Sequence, residues 1–167
     1  AIDRWHANRI AAGVPEGSVD LTPERALMLE AGLDRLGAVD FEKGCYVGQE
    51  VTARTHYRGL VKRRLVPLTI AGDPPAIDSD IMWQGTVIGK SKTAAALTVP
   101  ITGAHGQADA KSICLALLKL SDLHDILDAP ADDDSPTTND PTTNGIIING
   151  HAAALALADW MQPLPRQ

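Results

Sequence analysis

Residues 63–70 read RRLVPLTI, and they begin the part of the chain that decides the fold. From there on, short β-prone runs alternate with turn residues, at a spacing typical of small all-β domains. These runs predict an antiparallel barrel or sandwich. The later runs are GDPPAIDSD at 72–80, IMWQGTVIGKS at 81–91, SICLALLKL at 112–120 and GIIINGHAAALALADW at 145–160.

Two of these runs leave a helix open as the alternative. SICLALLKL and HAAALALADW, at 151–160, are rich in alanine and leucine, which favour helices. A low-complexity segment at 131–145, ADDDSPTTNDPTTNG, cannot build a core, and we interpret it as a mobile surface loop. We also expect weak order at 94–112, because the small residues there supply little to bury.

Helical patterns precede the β-prone part. RWHANRIAAGVP at 4–15 predicts a short helix that glycine and proline end. Thr22-Pro23-Glu24 is a helix start, and the helix after it is expected to bury Leu29, Leu33 and Leu36 on one face. In AVDFEKGCYVGQEVTARTHYRG at 38–59, glycines bracket a tight turn, and we expect VTARTHYR to be helical. The chain opens abruptly, so we interpret it as a piece of a longer protein.

Composition excludes several classes of protein. The 167 residues are 44% hydrophobic and 22% charged, which is ordinary for a folded domain. We see no apolar run of about 20 residues and no signal-peptide pattern, so we expect a cytoplasmic protein, or a mitochondrial matrix protein in a eukaryote. There is no nucleophile elbow, phosphate-binding loop or dinucleotide fingerprint. Two cysteines outside any CxxC pair indicate reduced thiols.

The charge is unevenly distributed. The net charge is −6, which argues against a general nucleic-acid binder. Residues 43–64 nevertheless hold six basic side chains and one acid, a local charge of +5 that leaves −11 for the rest. This basic strip either faces an anion or is an ordinary solvated helix face followed by a basic strand. Its basic members are Lys43, Arg54, Arg58, Lys62, Arg63 and Arg64.

Cys45 is the candidate reactive residue. It lies between Gly44 and Gly48, beside Lys43 and ahead of the basic strip. Open, electropositive surroundings favour the thiolate, which attacks electrophiles or binds iron in a cluster. The alternative is an inert cysteine in a turn. Cys114 lies in an apolar run and is most simply a core residue.

The string KGCYVGQE at 43–50 resembles the signature of YgfZ-type proteins, which are folate-binding relatives of the glycine-cleavage T-protein. The resemblance covers about residues 4–68 and includes RIAAGVPEG at 9–17, LGAVDF at 36–41 and VTAR at 51–54. It implies an α+β fold in which an N-terminal helical segment with the KGCYVGQE turn is followed by a small antiparallel β-barrel. The implied domains are 1–61, part of the folate-binding domain, and 62–167, the barrel.

The resemblance also implies a site. The family cysteine corresponds to Cys45, either as a catalytic residue or as one ligand of a shared, transient iron–sulfur cluster, since one thiolate cannot complete a four-cysteine site. Tetrahydrofolate is the implied cofactor, and its binding is expected to need the N-terminal half absent from this chain. The candidate folate-binding residues are Tyr46, Gln49, Glu50, Arg54 and Arg58.

Three functions remain open from the sequence. The first is a folate-binding accessory factor for iron–sulfur cluster assembly or repair, with carrier or client proteins as partners. Family members are associated with enzymes that modify tRNA, but only 4% aromatic residues make direct RNA binding unexpected. The second is a tetrahydrofolate-dependent aminomethyltransferase of the T-protein kind, which would make the protein an enzyme; we favour a non-enzyme for this chain. The third is an interaction domain without a small-molecule ligand.

Overall fold

The structure, a computed structural model, describes residues 2–97, 110–128 and 145–165. The helices are α1 (Ile2–Ala11), α2 (Gly17–Asp20), α3 (Gln49–Tyr57) and α4 (Leu120–Asp128), with a 3-10 turn at Asp159–Met161. The strands are β1 (Arg63–Ile70), β2 (Asp80–Trp83), β3 (Thr86–Ala96), β4 (Ser112–Lys119), β5 (Ile146–Ile148) and β6 (His151–Leu155).

These six strands form a closed antiparallel barrel in the order β1-β4-β3-β2-β5-β6. β1 pairs with β4 along its whole length, from Arg63 opposite Lys119 to Ile70 opposite Ser112. On its other side β1 pairs with β6, where Leu68 faces Leu155. Helices followed by a small antiparallel barrel confirm the predicted fold class.

Strand β1 is buried on both faces because two cores flank it. Val66, Leu68 and Ile70 belong to the cluster that fills the barrel. Leu65 points to the opposite face, where it packs with Ile10 of α1. Burial of each such side chain contributes roughly 1.5–3 kcal/mol, so β1 and the helix that covers it stabilise the fold together.

The prediction of a helix after Thr22 is wrong. Residues 23–37 form successive turns, and the backbone is left-handed at Glu24 (φ 60°) and at Gly32 (φ 76°). A left-handed residue cannot continue a right-handed helix, so the segment never completes one. Leu29 is buried as predicted, whereas Leu36 is exposed.

The run IMWQGTVIGKS is confirmed as β structure, and it forms most of the β2–β3 hairpin. Its connecting residues, Gln84 and Gly85, both have positive φ (46° and 75°), as a tight hairpin turn requires. The preceding run, GDPPAIDSD, is not a strand until Asp80. Pro74 and Pro75 explain this, because neither has the N–H group that a strand interior needs.

Both of the runs for which a helix was the alternative begin with a strand. Residues 112–119 of SICLALLKL form β4, and α4 begins only at Leu120. In HAAALALADW, β6 is followed by the short 3-10 turn. The predicted weak order at 94–112 is wrong at its ends, because residues 94–96 pair with 112–114.

Some sequence predictions stay outside the reach of the structure. Residues 98–109 and 129–144, the latter with most of the low-complexity segment, lie outside the described residues. The division into domains at residue 61 also stays a prediction. Among the described residues, no helix has the length and apolar character to cross a membrane.

Candidate functional site

The turn that carries Cys45 is built from local hydrogen bonds and one special glycine. The Asp40 carboxylate accepts hydrogen bonds from the backbone N–H groups of Glu42 (2.9 Å) and Lys43 (3.2 Å), which fixes the start of the turn. Gly48 precedes α3 with a φ of 86°, a left-handed conformation that glycine adopts without strain. The motif glycine therefore sets the direction in which α3 leaves the turn.

Cys45 is exposed on this turn. The Nζ atom of Lys43 lies 4.6 Å from the ring centre of Tyr46, so a cation is held next to the cysteine in the chain. In the described part of the molecule, no group of three or more His, Cys, Asp and Glu side chains is placed to hold a metal ion. Cys45 is thus available as a single thiol to a partner from solution.

Helix α3 lies on the protein surface and is held there by aromatic contacts. His56 stacks on Phe41 with ring centres 3.9 Å apart, and Phe41 in turn packs against the barrel core. Tyr57 contacts the His56 ring edge-on at 5.1 Å. Since no residue of α3 is fully buried, these contacts fix the orientation of the helix while its outer side faces solvent.

The predicted folate-binding residues lie close together along this turn and helix. Tyr46 and Gln49 are half-buried, whereas Glu50, Arg54 and Arg58 are exposed. No ion pair joins Glu50 to Arg54, although their spacing allows one. The Tyr46 hydroxyl is buried and has no hydrogen-bond partner among the described residues. These residues lie along a surface, and none of them lines the cleft described next.

A cleft of about 450 Å³ lies elsewhere, between residues 20–31 and the outer face of the barrel. Its apolar lining includes Leu27, Leu65 and Val87. Five basic side chains surround this apolar surface: Arg25, Arg63, Lys90, Lys92 and Lys119. A cleft of this size with apolar walls and charged groups at defined points has the character of a small-molecule site.

Glu30 is the distinctive acid of the cleft. It is half-buried, and this burial raises the pKa of its carboxyl, while the positive charge of Arg63 opposes the rise. The backbone is held in place, since the carbonyl of Glu30 accepts a hydrogen bond from the N–H of Leu65 (2.8 Å). A desolvated carboxyl in a cleft is a candidate for binding a ligand with N–H donors.

The basic side chains of the cleft differ in how they are paired. Lys92 contacts Asp78 at 2.7 Å, and Lys90 contacts Asp80 at 2.6 Å. Within the described ranges, neither Arg25 nor Arg63 has an ion-pair partner at salt-bridge distance. These two guanidinium groups are therefore the ones available to a carboxylate or phosphate ligand.

The sequence did not reveal this cleft, because its residues come from five separate stretches of chain. Only a partial indication of it was present in the sequence: side chains alternate between the two faces of β1, which places Arg63 and Leu65 on the same outward face. Nothing in the sequence indicated that residues 20–31 would lie across that face.

One member of the basic strip is a core residue. Arg64 is 1% exposed, and its guanidinium donates a 2.6 Å hydrogen bond to the carbonyl of Leu29. Burial lowers the pKa of Arg64, and Asp34 at 3.7 Å partly opposes this. The strip on the surface therefore has five basic side chains, not six.

Comparisons with known proteins find relatives among iron–sulfur cluster assembly factors. No protein-family model matches the chain. The iron-sulfur cluster assembly factor IBA57 homolog of Mycosarcoma maydis, mitochondrial by name, is 54% identical over 70 residues, 41% of this chain and 17% of that protein. The mitochondrial IBA57 proteins of Mus musculus (49% over 72 residues; 43% and 20% of the two chains) and Homo sapiens (52% over 68 residues; 40% and 19%) are similar.

The chain thus spans about a fifth of the length of these relatives. Their names support the iron–sulfur part of the resemblance drawn from residues 43–50. The names mention neither folate nor a role for the cysteine.

Proposed function

We propose that this protein takes part in iron–sulfur cluster assembly and that Cys45 supplies one thiolate ligand to a cluster shared with a carrier or client protein. The exposed position of Cys45 on the turn before α3 is the observation that carries the proposal. The names of the relatives support the assembly role, and their mitochondrial location suggests the matrix if this protein is eukaryotic.

The proposed role of Cys45 follows from its surroundings. A thiolate is a soft ligand that suits iron in a cluster, and Cys45 is exposed on its turn, two residues after Lys43. Because one thiolate is too few for a stable cluster site, the remaining ligands come from the partner, and the cluster is held only transiently. The cluster is then cargo and not a resident cofactor.

The first test is anaerobic cluster reconstitution on the full-length protein with a [2Fe–2S] carrier protein, followed by visible absorption and by transfer to an apo-enzyme. Replacement of Cys45 by Ala is expected to reduce shared-cluster formation at least about tenfold, because an iron ligand is lost. The matched control is Cys114→Ala, which removes the other, buried thiol and leaves sharing intact. If both variants behave like the parent, Cys45 is not a ligand.

We further propose that the protein binds tetrahydrofolate, which serves as a carrier of one-carbon units when bound. The cleft fits this group better than the surface of α3 does. Glu30 would accept hydrogen bonds from the pterin N–H groups, the apolar walls would contact the rings, and Arg25 would pair with a glutamate carboxylate. The prediction that Tyr46, Gln49, Glu50, Arg54 and Arg58 bind folate is the competing placement.

Two matched variants separate these placements in a tetrahydrofolate titration of the full-length protein. Glu30→Gln is expected to weaken binding about tenfold, because a charged hydrogen-bond acceptor contributes roughly 1.5–3 kcal/mol. Glu50→Gln, the same change on α3, is expected to alter binding less than about twofold. The opposite result places folate on α3, and parent-like affinity in both variants contradicts both placements.

The aminomethyltransferase remains the second candidate, and the cleft is the observation that favours it, since a transferase needs the same cofactor. The two functions differ in their dependence on Cys45: cluster sharing requires its thiolate, whereas aminomethyl transfer does not. Tetrahydrofolate-dependent aminomethyl transfer that survives Cys45→Ala, together with unchanged cluster sharing, would replace the assembly proposal with the transferase.

A further inference from the structure

The outer side of α3 is an exposed surface with unusual composition. We call Val47, Val51, Arg54, Tyr57 and Arg58 the α3 surface. Val47 is fully exposed, Val51 is 53% exposed and Tyr57 is 72% exposed, so three large side chains face solvent along the segment that follows Cys45. Since Val51, Arg54 and Arg58 are spaced by three and four residues, they lie on one side of the helix.

The cations of the α3 surface are not neutralised by their neighbours. In the described part of the chain, neither Arg54 nor Arg58 has an ion-pair partner, and Glu50, the one acid on α3, pairs with neither of them. Lys43 and Lys62 are exposed nearby in the chain. Asp40 and Glu42 are exposed in the same segment, so from residue 40 to residue 62 the four basic side chains exceed the three acids by one. The segment is therefore positive on a protein whose net charge is −6.

We propose that the α3 surface docks a partner protein whose contact face is acidic at its rim and apolar at its centre. The proposal rests on the proposed function, because the partner meant here is the protein that shares a cluster with Cys45. Arginine and tyrosine are the residues that most often dominate binding energy at interfaces, and exposed valines supply the apolar centre. The stacking of His56 on Phe41 fixes the helix beneath, which reduces the ordering cost of docking.

Other occupants fit the charges less well. A second copy of the chain docked through the same surface would bring arginines against arginines. A nucleic acid would meet the five surface cations of the strip, but the remaining charge of the chain would repel the rest of the polyanion. An acidic protein face would pair with the arginines of the α3 surface without extending over the negative remainder of the chain. Its apolar centre would also pack against the exposed valines.

The test uses the full-length protein and the apo form of an acidic [2Fe–2S] carrier protein, so that docking is measured without any cluster. Calorimetry at two salt concentrations is expected to show binding that weakens with salt. The Arg54→Gln/Arg58→Gln variant is expected to bind about tenfold more weakly, as is typical of interface arginines. The control, Arg4→Gln/Lys111→Gln, removes the same charge from exposed residues outside the surface and is expected to bind like the parent.

The outcomes keep docking and cluster sharing apart. Cys45→Ser is expected to dock normally even if it fails to share a cluster, so loss of sharing alone leaves this proposal standing. Val51→Ser provides a second, uncharged variant that should also weaken docking. Equal binding by the arginine variant and its control overturns the proposal, as does tighter arginine-dependent binding of a 20-nucleotide RNA, or self-association that depends on the same arginines.

Discussion

Arg64 lies beneath the turns at 23–37, and its guanidinium joins them to the barrel through the carbonyl of Leu29. Two of its nitrogen atoms, Nε and one terminal nitrogen, are buried with no hydrogen-bond partner in the described residues. The side chain is therefore retained at a desolvation cost. What it provides is a hydrogen bond to a segment that forms no helix of its own.

Replacement of Arg64 by Ala is expected to lower the free energy of unfolding by about 3 kcal/mol, because it opens a cavity and leaves the Leu29 carbonyl with only the longer hydrogen bond from the N–H of Gly32 (3.3 Å). Arg64→Met, which keeps most of the volume and removes the buried charge, is expected to cost about 1 kcal/mol. Urea unfolding measures both. Arg63→Ala, at the exposed neighbouring position, is the control; a loss equal to that of Arg64→Ala would show that burial is not the cause.

At the scale of the elements, the sequence predicted those parts of the fold whose local and tertiary preferences agree. RRLVPLTI and IMWQGTVIGKS are β-prone, and the barrel requires strands there, so β1 to β3 were predicted closely. The helix after Thr22 failed because a good local start was followed by turns at Glu24 and Gly32. Contacts made by Arg64 and Trp160, far away in sequence, hold the turn at Gly32: a Cβ atom on Gly32 would lie only 2.9 Å from the Trp160 ring.

The candidate site divides in the same way. The turn before α3 and the helix itself were predicted because a continuous motif encodes the turn, its glycines and the helix, whereas the role of Cys45 stays a prediction. The cleft was not predicted, because Arg25, Glu30, Arg63 and Lys119 become neighbours only through the pairing of β1 with β4 and the path of the turns. A site whose residues are brought together by strand pairing has no motif in any single stretch of sequence.

At the scale of the whole molecule, Asp20 joins the N-terminal segment to the barrel. The residue is 5% exposed, and its carboxylate accepts hydrogen bonds from Arg9 of α1 (2.9 Å) and from both the N–H (2.9 Å) and the hydroxyl (2.6 Å) of Thr93 on β3. Beside it, Ile10 is buried with Leu65 of β1. α1 and the barrel thus share both an apolar and a polar contact, although α1 lies on the other side of the predicted domain boundary.

We therefore expect α1 and the barrel to unfold as one cooperative unit. In native-state hydrogen exchange, amides around Ile10 are expected to show the same opening free energy as amides in the centre of β4. Asp20→Ala is expected to lower the opening free energy of α1 by about 3 kcal/mol, because it leaves the buried Arg9 charge with Glu16, at 3.3 Å, as its ion-pair partner. Asp125→Ala, at an exposed position on α4, is the control and should leave both values unchanged. If α1 in the unmodified protein opens at a much lower free energy than β4, the helix is only loosely attached, and the contacts of Asp20 and Ile10 do not couple it to the barrel.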